Sequence, residues 1–194
     1  MQNHYKRFFL IIYLCITSIA LSSQTSRKEE LTRDIIKKAV RFEDIEDIVD
    51  IIKRQPGLYK HIPSIHPIAG KNNPKISSFF GTRFHPVDKV YRYHTGIDFT
   101  AEFATTIHVT ATGKVIYAGI KGGYGKCVIV QHTMGFKTLY AHMTECYTEK
   151  GKIVNKGDII GFLGSTGKST GAHLHYEILK NGIPINPYNF LSID

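Results

Sequence analysis

Three short stretches decide the fold of this chain: Lys114-Val-Ile-Tyr-Ala118, Cys127-Val-Ile-Val-Gln-His132 and Lys137-Thr-Leu-Tyr-Ala-His142. Each is a run of five or six residues rich in β-branched and aromatic side chains. Runs of this length and composition, separated by glycine-rich segments, are typical of β-strands joined by tight turns. The middle of the chain is therefore predicted to be an antiparallel sheet.

The same pattern continues on both sides of these stretches. Ile107-His-Val109 and Asp158-Ile-Ile-Gly-Phe-Leu163 have the same composition, and no segment after residue 77 shows ten residues of helical periodicity. A chain of 194 residues with 42% hydrophobic residues has room for one domain with a real core and a short extension. We therefore predict an all-β domain over residues 77–194, either a sandwich or a partly closed barrel.

The segment before the β domain has a helical pattern. Ser26 and Glu29 have the spacing of a capping box, and Pro56-Gly57 is expected to end the helix. We predict a helical spacer over 24–57 and a linker over 58–76 that packs on the domain. One long helix, a bent pair of helices and a dimerising coil all fit the pattern, so the oligomeric state is open. The apolar stripe consists of Leu31, Ile35, Ala39, Phe42, Ile45, Val49 and Ile52.

The first 23 residues have the features of an export signal. Lys6 and Arg7 precede an almost unbroken apolar run over residues 8–21, which is shorter than the ~20 residues of a usual membrane span. Ala20 and Ser22 are small residues two apart, as a signal-peptidase site requires. Cleavage near Ser22 or Ser23 is the prediction, and an uncleaved amino-terminal membrane anchor is the alternative. Either places the protein in the periplasm or cell envelope.

The charge of the chain is concentrated in its second part. The formal net charge is +9, and residues 27–54 carry eight basic and eight acidic side chains. The positive excess outside the leader therefore lies in residues 55–194, and it favours polyanionic partners. For an exported protein the cell wall and its acidic polymers fit better than nucleic acid, which we do not expect as a partner. The alternative is that mild basicity only keeps the protein soluble.

Two cysteines remain once the leader is set aside. Cys127 and Cys146 lie nineteen residues apart and belong to no Cys-x-x-Cys motif. Their number and spacing match neither a disulfide framework nor a cysteine zinc site. A single disulfide and two buried thiols therefore both remain open.

Candidate metal ligands begin with His94-Thr-Gly-Ile-Asp98. Gly96 and the Phe-Thr pair after Asp98 favour an extended segment, in which residues four apart share one face. An imidazole and a carboxylate on one face are suitable zinc ligands, because zinc accepts both nitrogen and oxygen donors.

A second candidate is His173-Leu-His175. In a strand both rings lie on the same side while Leu174 points to the core. Either both imidazoles bind a metal, or one binds it and the other handles protons. With His94 and Asp98, one of this pair completes three ligands and leaves a position for water, as in catalytic zinc sites. His142, at the end of a strand-like run, is a further candidate for proton transfer.

At these motifs the chain resembles the lysostaphin-type peptidoglycan endopeptidases, the M23 family of zinc peptidases. The resemblance covers most of the β domain and nothing before it. It is carried by Ser78-Phe-Phe-Gly-Thr-Arg-Phe-His-Pro86, His94-Thr-Gly-Ile-Asp98, Gly122-Gly-Tyr-Gly125, Thr138-Leu-Tyr-Ala-His142 and Gly164-Ser-Thr-Gly-Lys-Ser-Thr-Gly-Ala-His-Leu-His-Tyr-Glu177.

The resemblance implies a role for each matching residue. His94, Asp98 and His175 are then the Zn²⁺ ligands, and His142 and His173 are the two non-ligand histidines that assist the water and stabilise the transition state. It implies a two-layer antiparallel sandwich that hydrolyses the peptide stems of peptidoglycan. Arg83 and His85 also belong to a matching motif, as structural or groove-lining residues; no substrate-binding residue is assigned.

The alternative function on the same fold is a non-catalytic wall-binding or amidase-activating protein. Relatives of that kind typically lose metal ligands. All five histidine and aspartate positions are present here, which favours the zinc metalloendopeptidase.

Overall fold

The computed structural model describes residues 22–39, 49–69, 74–85 and 90–191. The chain divides into two compact units, Met1–Lys38 and Ala39–Asp194. Residues 1–21 of the predicted leader lie outside the described residues, so the signal and the anchor both stay predictions. Among the helices that are described, none combines the length and the apolar character needed to cross a membrane.

The first unit contains one described helix, α1, over residues 22–38. The helix begins before Ser26, so the predicted capping box at Ser26 is wrong; this serine lies inside the first turns. The predicted stripe is confirmed at Ala39 and Ile52, which are buried, and wrong at Leu31 and Ile35, which are exposed. Thr32 and Ile36 are buried instead. Thr32 is accommodated on the buried face because its hydroxyl donates to the carbonyl of Lys28 at 2.8 Å.

The second unit begins with two short helices, α2 (Val49–Lys53) and α3 (Pro56–Tyr59). Pro56 occupies the first turn of α3, where its missing N–H is not needed, so it begins a helical turn instead of ending the helical region. Residues 40–48, which join α1 to α2, lie outside the described residues. One long helix and a bent pair of helices therefore both stay predictions.

The described part of the predicted linker follows the edge of the β domain. The amide of Thr112 donates to the carbonyl of Lys60 at 2.7 Å, and Ile68 forms a bridge with Ile107. None of residues 58–69 lines the cleft described below. The boundaries at residues 57 and 76 stay predictions.

The described strands of the second unit all pair antiparallel. A 3-10 turn at Gly122–Tyr124 and helix α4 (Tyr188–Leu191) complete the unit. The strands are β1 (Lys75–Ser78), β2 (Gly81–His85), β3 (Val90–His94), β4 (Ile97–Thr100), β5 (Thr106–His108), β6 (Gly113–Ile120), β7 (Lys126–Gln131), β8 (Phe136–Cys146), β9 (Ile153–Val154), β10 (Ile159–Leu163), β11 (Leu174–Lys180) and β12 (Ile183–Ile185).

Ten of the described strands form one sheet. Its main path is β1-β4-β11-β8-β7-β6-β9, with β12 paired to β11 and β10 paired to both β8 and β5. The hairpin β2–β3 forms a separate two-stranded sheet. The prediction of an antiparallel all-β domain with a helical segment before it is confirmed, and the five predicted runs lie in β5, β6, β7, β8 and β10.

Strand β8 changes partner at His142. Before this residue β8 pairs with β11, ending at the pair Ala141↔His175, and after it β8 pairs with β10, beginning at Met143↔Leu163. His142 itself has φ of 59°, in the left-handed region that few non-glycine residues adopt. The pairing of β8 with β11 therefore ends at this residue, next to His175 on β11.

The core beside this change of partner is held by large buried side chains on β8 and β11. Tyr140 and Tyr176 are fully buried, and both phenols contact the hydroxyl of Thr110, at 3.0 and 2.8 Å. Buried hydroxyls without partners would cost stability, so this three-residue network lets two tyrosines fill the core. Rigid packing of these two strands fixes the side chains at their ends.

Candidate metal centre

The three predicted ligands converge on one point. Nε2 of His94 lies 3.0 Å from Nδ1 of His175 and 3.1 Å from Oδ1 of Asp98, and the last two atoms are 2.8 Å apart. All three residues are buried, with 7–8% of their surface exposed. A tetrahedral zinc site with bonds of about 2.0–2.1 Å has edges of about 3.3 Å, so the three atoms have nearly the spacing that such a metal requires.

His94 and Asp98 reach this point from different sheets. His94 ends β3, whereas Asp98 lies in β4, and Thr95-Gly96 form the break between the two strands. The expectation of one extended segment with both residues on a shared face is therefore wrong. A Cβ on Gly96 would lie 2.3 Å from the carbonyl oxygen of Tyr176, so only glycine lets the break pack against β11.

His175 is placed by strand register. It pairs directly with Asp98 across the β4–β11 ladder. Side chains opposite each other in an antiparallel pair lie on the same face, so this register alone holds an imidazole next to a carboxylate. Leu174, its neighbour, is fully buried as predicted.

The ligand nitrogens are oriented by hydrogen bonds on the far side of each ring. Nδ1 of His94 donates to the carbonyl of Phe79 at 2.8 Å, and Nε2 of His175 donates to Oε1 of Glu177 at 3.0 Å. Each neutral ring then turns a lone pair toward Asp98. Three electron-rich atoms about 3 Å apart require a shared cation, and two imidazoles with one carboxylate form a donor set that suits zinc.

The pKa values of Asp98 and His175 also indicate that the cluster requires a cation. Burial alone would raise the pKa of Asp98, but its close contacts with the rings of His175 and His94 outweigh burial and hold that pKa well below its usual range. Burial alone would lower the pKa of His175, but its bonds to Asp98 and Glu177 raise it to about 9. Without a metal, a proton on His175 is the cation that relieves the crowding of lone pairs, and a divalent ion would displace it.

Glu177 is a site residue to which the sequence reasoning assigned no role. It is 3% exposed, and its Oε1 also accepts hydrogen bonds from the hydroxyls of Thr95 at 2.5 Å and Tyr124 at 2.9 Å. These bonds outweigh the effect of burial and lower the pKa of Glu177. The alternation of His173, His175 and Glu177 along one strand face was the signal that could have identified it.

The two other predicted histidines lie beside the cluster. The ring centroids of His142 and His173 are 4.6 Å apart, and His142 lies 6.0 Å from His175. Nδ1 of His142 donates to the carbonyl of Thr166 at 2.8 Å, and Nδ1 of His173 donates to that of Gly171 at 2.8 Å. In the neutral form of either ring, Nε2 is then the nitrogen that carries the lone pair. Burial lowers the pKa of His142 to about 4, so this ring is neutral at pH 7.

The cluster opens into a cleft of about 390 Å³ that we call the metal cleft. It is lined by the three ligands, by His142 and His173, and by polar side chains that include Ser77 and Arg83. The guanidinium of Arg83 lies 3.6 Å from Oδ2 of Asp98. An adjoining space of about 340 Å³ continues past Arg92 and Tyr124. Arg83, expected to be structural or groove-lining, does line the cleft.

Cys127 and Cys146 are both free thiols. The thiol of Cys146 donates to the carbonyl of Cys127 at 3.7 Å. Burial raises the pKa of Cys127 to about 11, which keeps this sulfur protonated and unreactive at neutral pH. Neither cysteine belongs to the metal cluster.

The fold and the site together define an antiparallel β domain with a cluster of three candidate metal ligands and two further imidazoles beside it. Residues 92–187 match the model of Peptidase family M23, and the chain carries a domain of this family.

Curated relatives and solved structures agree with this assignment. The chain is 49% identical over 113 residues to the DD-carboxypeptidase/endopeptidase Mpg of Neisseria meningitidis. The matched residues make up 58% of this chain and 26% of that protein. A zinc containing peptidase from Vibrio cholerae superimposes with a TM-score of 0.59 at 30% identity, over 66% of this chain and 39% of that one. The catalytic domain of lysostaphin from Staphylococcus simulans superimposes with a TM-score of 0.57 at 28% identity, over 64% of this chain and 98% of that one.

The family match at residues 92–187 lies within the β domain. The chain spans about a quarter of the length of the curated relatives it matches.

Proposed function

We propose that this chain is a zinc endopeptidase that hydrolyses peptide cross-links of bacterial peptidoglycan with a metal-activated water. The observation that carries the proposal is the convergence of His94, Asp98 and His175 within about 3 Å of one another, with the imidazoles of His142 and His173 at the same cleft. Three protein ligands leave one position of a tetrahedral metal for water, which is the arrangement of catalytic zinc sites.

Zinc bound to the three ligands would supply a Lewis acid for the scissile carbonyl and lower the pKa of a water to about 7. The chain's own residues supply the rest of the chemistry. Asp98 brings the negative charge that holds a dication, and Phe79 and Glu177 fix the two imidazole ligands through their outer nitrogens.

His142 and His173 are proposed to handle the proton and the oxyanion. Each ring has its Nδ1–H bonded to a backbone carbonyl, so Nε2 is available to accept the proton of the attacking water. Once protonated, the same nitrogen donates a hydrogen bond, either to the tetrahedral oxyanion or to the departing amine. Because the rings are only 4.6 Å apart, one of them can act as the base while the other donates.

The proposed substrate is the peptide stem of peptidoglycan, and the proposed site of action is the periplasm or cell envelope. The relatives support this choice: Mpg is a DD-carboxypeptidase/endopeptidase, and ShyA of Vibrio cholerae, 36% identical over 110 residues, is a peptidoglycan DD-endopeptidase. The leader-like residues 1–23 and the positive charge of residues 55–194 are consistent with an exported protein that acts on an acidic polymer.

The direct test is digestion of purified peptidoglycan by the zinc-loaded full chain, followed by mass analysis of the fragments. We expect cross-linked stem dimers to be converted to monomers, and the masses of the new ends to identify the bond that is cut. Zinc-loaded protein that binds peptidoglycan without releasing any peptide would contradict the proposal and would favour the non-catalytic wall-binding alternative.

A further inference from the structure

The side chain of Thr166 makes two hydrogen bonds beside His142. Its hydroxyl donates to the carbonyl of Met143 at 2.8 Å and accepts the backbone N–H of Lys126 at 2.9 Å. Met143 directly follows His142 on β8, and Lys126 begins β7 as the partner of Met143 in the register of the two strands. The hydroxyl therefore joins the loop between β10 and β11 to both strands at the place where β8 changes partner.

The backbone of the same residue contacts the ring of His142. The carbonyl oxygen of Thr166 lies 2.8 Å from Nδ1 of His142. Because a carbonyl oxygen can only accept, this bond requires the proton on Nδ1 and, in the neutral ring, places the lone pair on Nε2. One residue therefore contacts both the strand that carries His142 and the nitrogen that sets the tautomer of its ring.

A glycine-rich turn packs tightly against the backbone of Thr166. A Cβ on Gly125 would lie 2.4 Å from the carbonyl carbon of Thr166, and a Cβ on Gly167 would lie 2.3 Å from the backbone nitrogen of Gly125. Glycine lets the two segments approach this closely. The N–H of Lys168 also donates to the carbonyl of Gly123 at 2.8 Å. The turn therefore supports the loop, and the hydroxyl of Thr166 attaches the supported loop to β7 and β8.

We propose that the hydroxyl of Thr166 is a positioning group for His142. By holding the carbonyl of Thr166 against Nδ1, it keeps the lone pair of Nε2 available in the metal cleft for the proton of the attacking water. When the hydroxyl is removed, the loop loses its attachment to β8, and the neutral ring is free to carry its proton on Nε2, where it cannot act as a base. Thr166 acts only through His142. The inference rests on the proposed peptidase function of the same cleft.

The first measurement reads the tautomer directly. Nitrogen-15 NMR signals of the His142 ring are recorded at pH 7 on the full chain, with and without added zinc, and are assigned by their loss in His142→Asn. We expect the Nδ1–H form to predominate in the unmodified protein and in Thr166→Ser, which keeps the hydroxyl. In Thr166→Val and Thr166→Ala, which remove it, the Nε2–H form should become populated. The matched control is Thr133→Val on an exposed turn, which should keep the Nδ1–H form.

The second measurement is hydrolysis of a purified cross-linked stem dimer of peptidoglycan by the same variants. In Thr166→Val, kcat should fall about 10-fold or more while KM stays within about twofold, because the base loses its productive geometry and the substrate contacts remain. Thr166→Ser should recover most of the turnover, and every Thr166 variant should keep its zinc, since Thr166 contacts none of the three ligands.

Three results would overturn the inference. The first is a His142 ring that carries its proton on Nε2 in the unmodified protein, a result that needs no variant to fold. The second is an Nδ1–H form as dominant in Thr166→Val and Thr166→Ala as in the unmodified protein, because a hydroxyl that served only stability would behave in this way. The third is unchanged turnover in a variant whose tautomer has shifted. A chain that shows the expected tautomers but cuts no peptidoglycan would contradict only the proposed function.

Discussion

At the scale of single residues, the two histidines outside the metal cluster are defined by their backbone partners. The carbonyls of Thr166 and Gly171 hold the Nδ1–H form of His142 and His173. His142 additionally has a left-handed backbone, which costs about 1 kcal/mol or more and is tolerated where surrounding structure enforces it. Such strain at a candidate proton-transfer residue is consistent with a position selected for chemistry over stability.

The roles of ligand and proton carrier are separable by mutation. Replacing His175 or Asp98 with Ala should abolish both zinc binding and peptidoglycan digestion, because two ligands remain where three are needed. Replacing His142 with Ala should retain zinc but reduce turnover by about 100-fold or more, because a general base is lost. Metal analysis and turnover are measured on each variant.

A companion variant controls for the backbone at His142. Asn tolerates a positive φ better than Ala and has no basic nitrogen, so His142→Asn should lose turnover as fully as His142→Ala while remaining at least as stable. Loss of zinc in both variants would show that the assignment of ligand and proton carrier is reversed.

Glu177 is expected to act on the metal through His175. Replacing Glu177 with Gln keeps the size of the side chain but removes the charge that orients and polarises the ligand ring. Zinc affinity, measured by competition with a chelator, should fall by about 10- to 100-fold. The matched control is Glu149→Gln on an exposed turn, which should leave the affinity unchanged. Equal affinities in the two variants would remove Glu177 from the metal site.

At the scale of elements, the site lies where the sheet stops being regular. Strand β8 switches partner at His142, and β3 passes into β4 through the break at Thr95-Gly96. Strands β5, β6, β7, β8 and β10 were predictable because their β-branched composition and glycine-rich boundaries are local signals. The break at Thr95-Gly96 was not predictable, because a glycine between His94 and Asp98 also fits one continuous extended segment. Only the packing against β11 distinguishes a break from a continuous strand.

The break at Gly96 can be tested by adding one methyl group. In Gly96→Ala the new carbon would meet the carbonyl oxygen of Tyr176 at 2.3 Å and a carbon of the His175 ring at 3.0 Å. The β4–β11 pair must then shift, so we expect a loss of about 2 kcal/mol in the free energy of unfolding and weaker zinc binding. A Cβ on Gly171 meets nothing within 4 Å, so Gly171→Ala should keep both properties. Equal denaturation midpoints for the two variants would contradict this account of the break.

At the scale of the whole molecule, much of the site was accessible from sequence because its residues form an ordered series of motifs. His175 is 77 residues away from Asp98 in sequence, yet it joins His94 and Asp98 as the resemblance implied. The helical region was predicted less well. Helix α1 begins before Ser26, and it buries Thr32 and Ile36 where the apolar pattern predicted Leu31 and Ile35. Which of two neighbouring positions is buried depends on tertiary packing, not on the local sequence. Glu177 had a local signal in its alternation with His175, but its contacts with Thr95 and Tyr124 depend on tertiary packing, which no local pattern specifies.

Buried histidines make the stability of the domain depend on pH. His132 is buried, contacts the carbonyl of Thr112 at 3.1 Å and the hydroxyl of Thr138 at 2.8 Å, and burial lowers its pKa to about 4. The unfolded chain, with a pKa near 6.5, therefore binds more protons between pH 6.5 and 4, and stability falls as the pH decreases through this window. For this group alone the loss is on the order of 3 kcal/mol.

Denaturant unfolding at several pH values measures this contribution. His132→Gln keeps a donor and an acceptor but does not titrate, so the stability difference between the unmodified protein and the variant should shrink by about 3 kcal/mol from pH 7 to pH 4. A difference that is independent of pH would show that His132 is not held neutral by the fold.

The central claim is that His94, Asp98 and His175 hold one zinc ion, and X-ray absorption at the zinc edge on the purified full chain tests it most directly. The account predicts about one zinc per chain, a coordination shell of nitrogen and oxygen at roughly 2.0–2.1 Å, and no sulfur shell near 2.3 Å. A chain that binds no zinc, or one whose zinc is held by the sulfur of Cys127 or Cys146, would contradict the account.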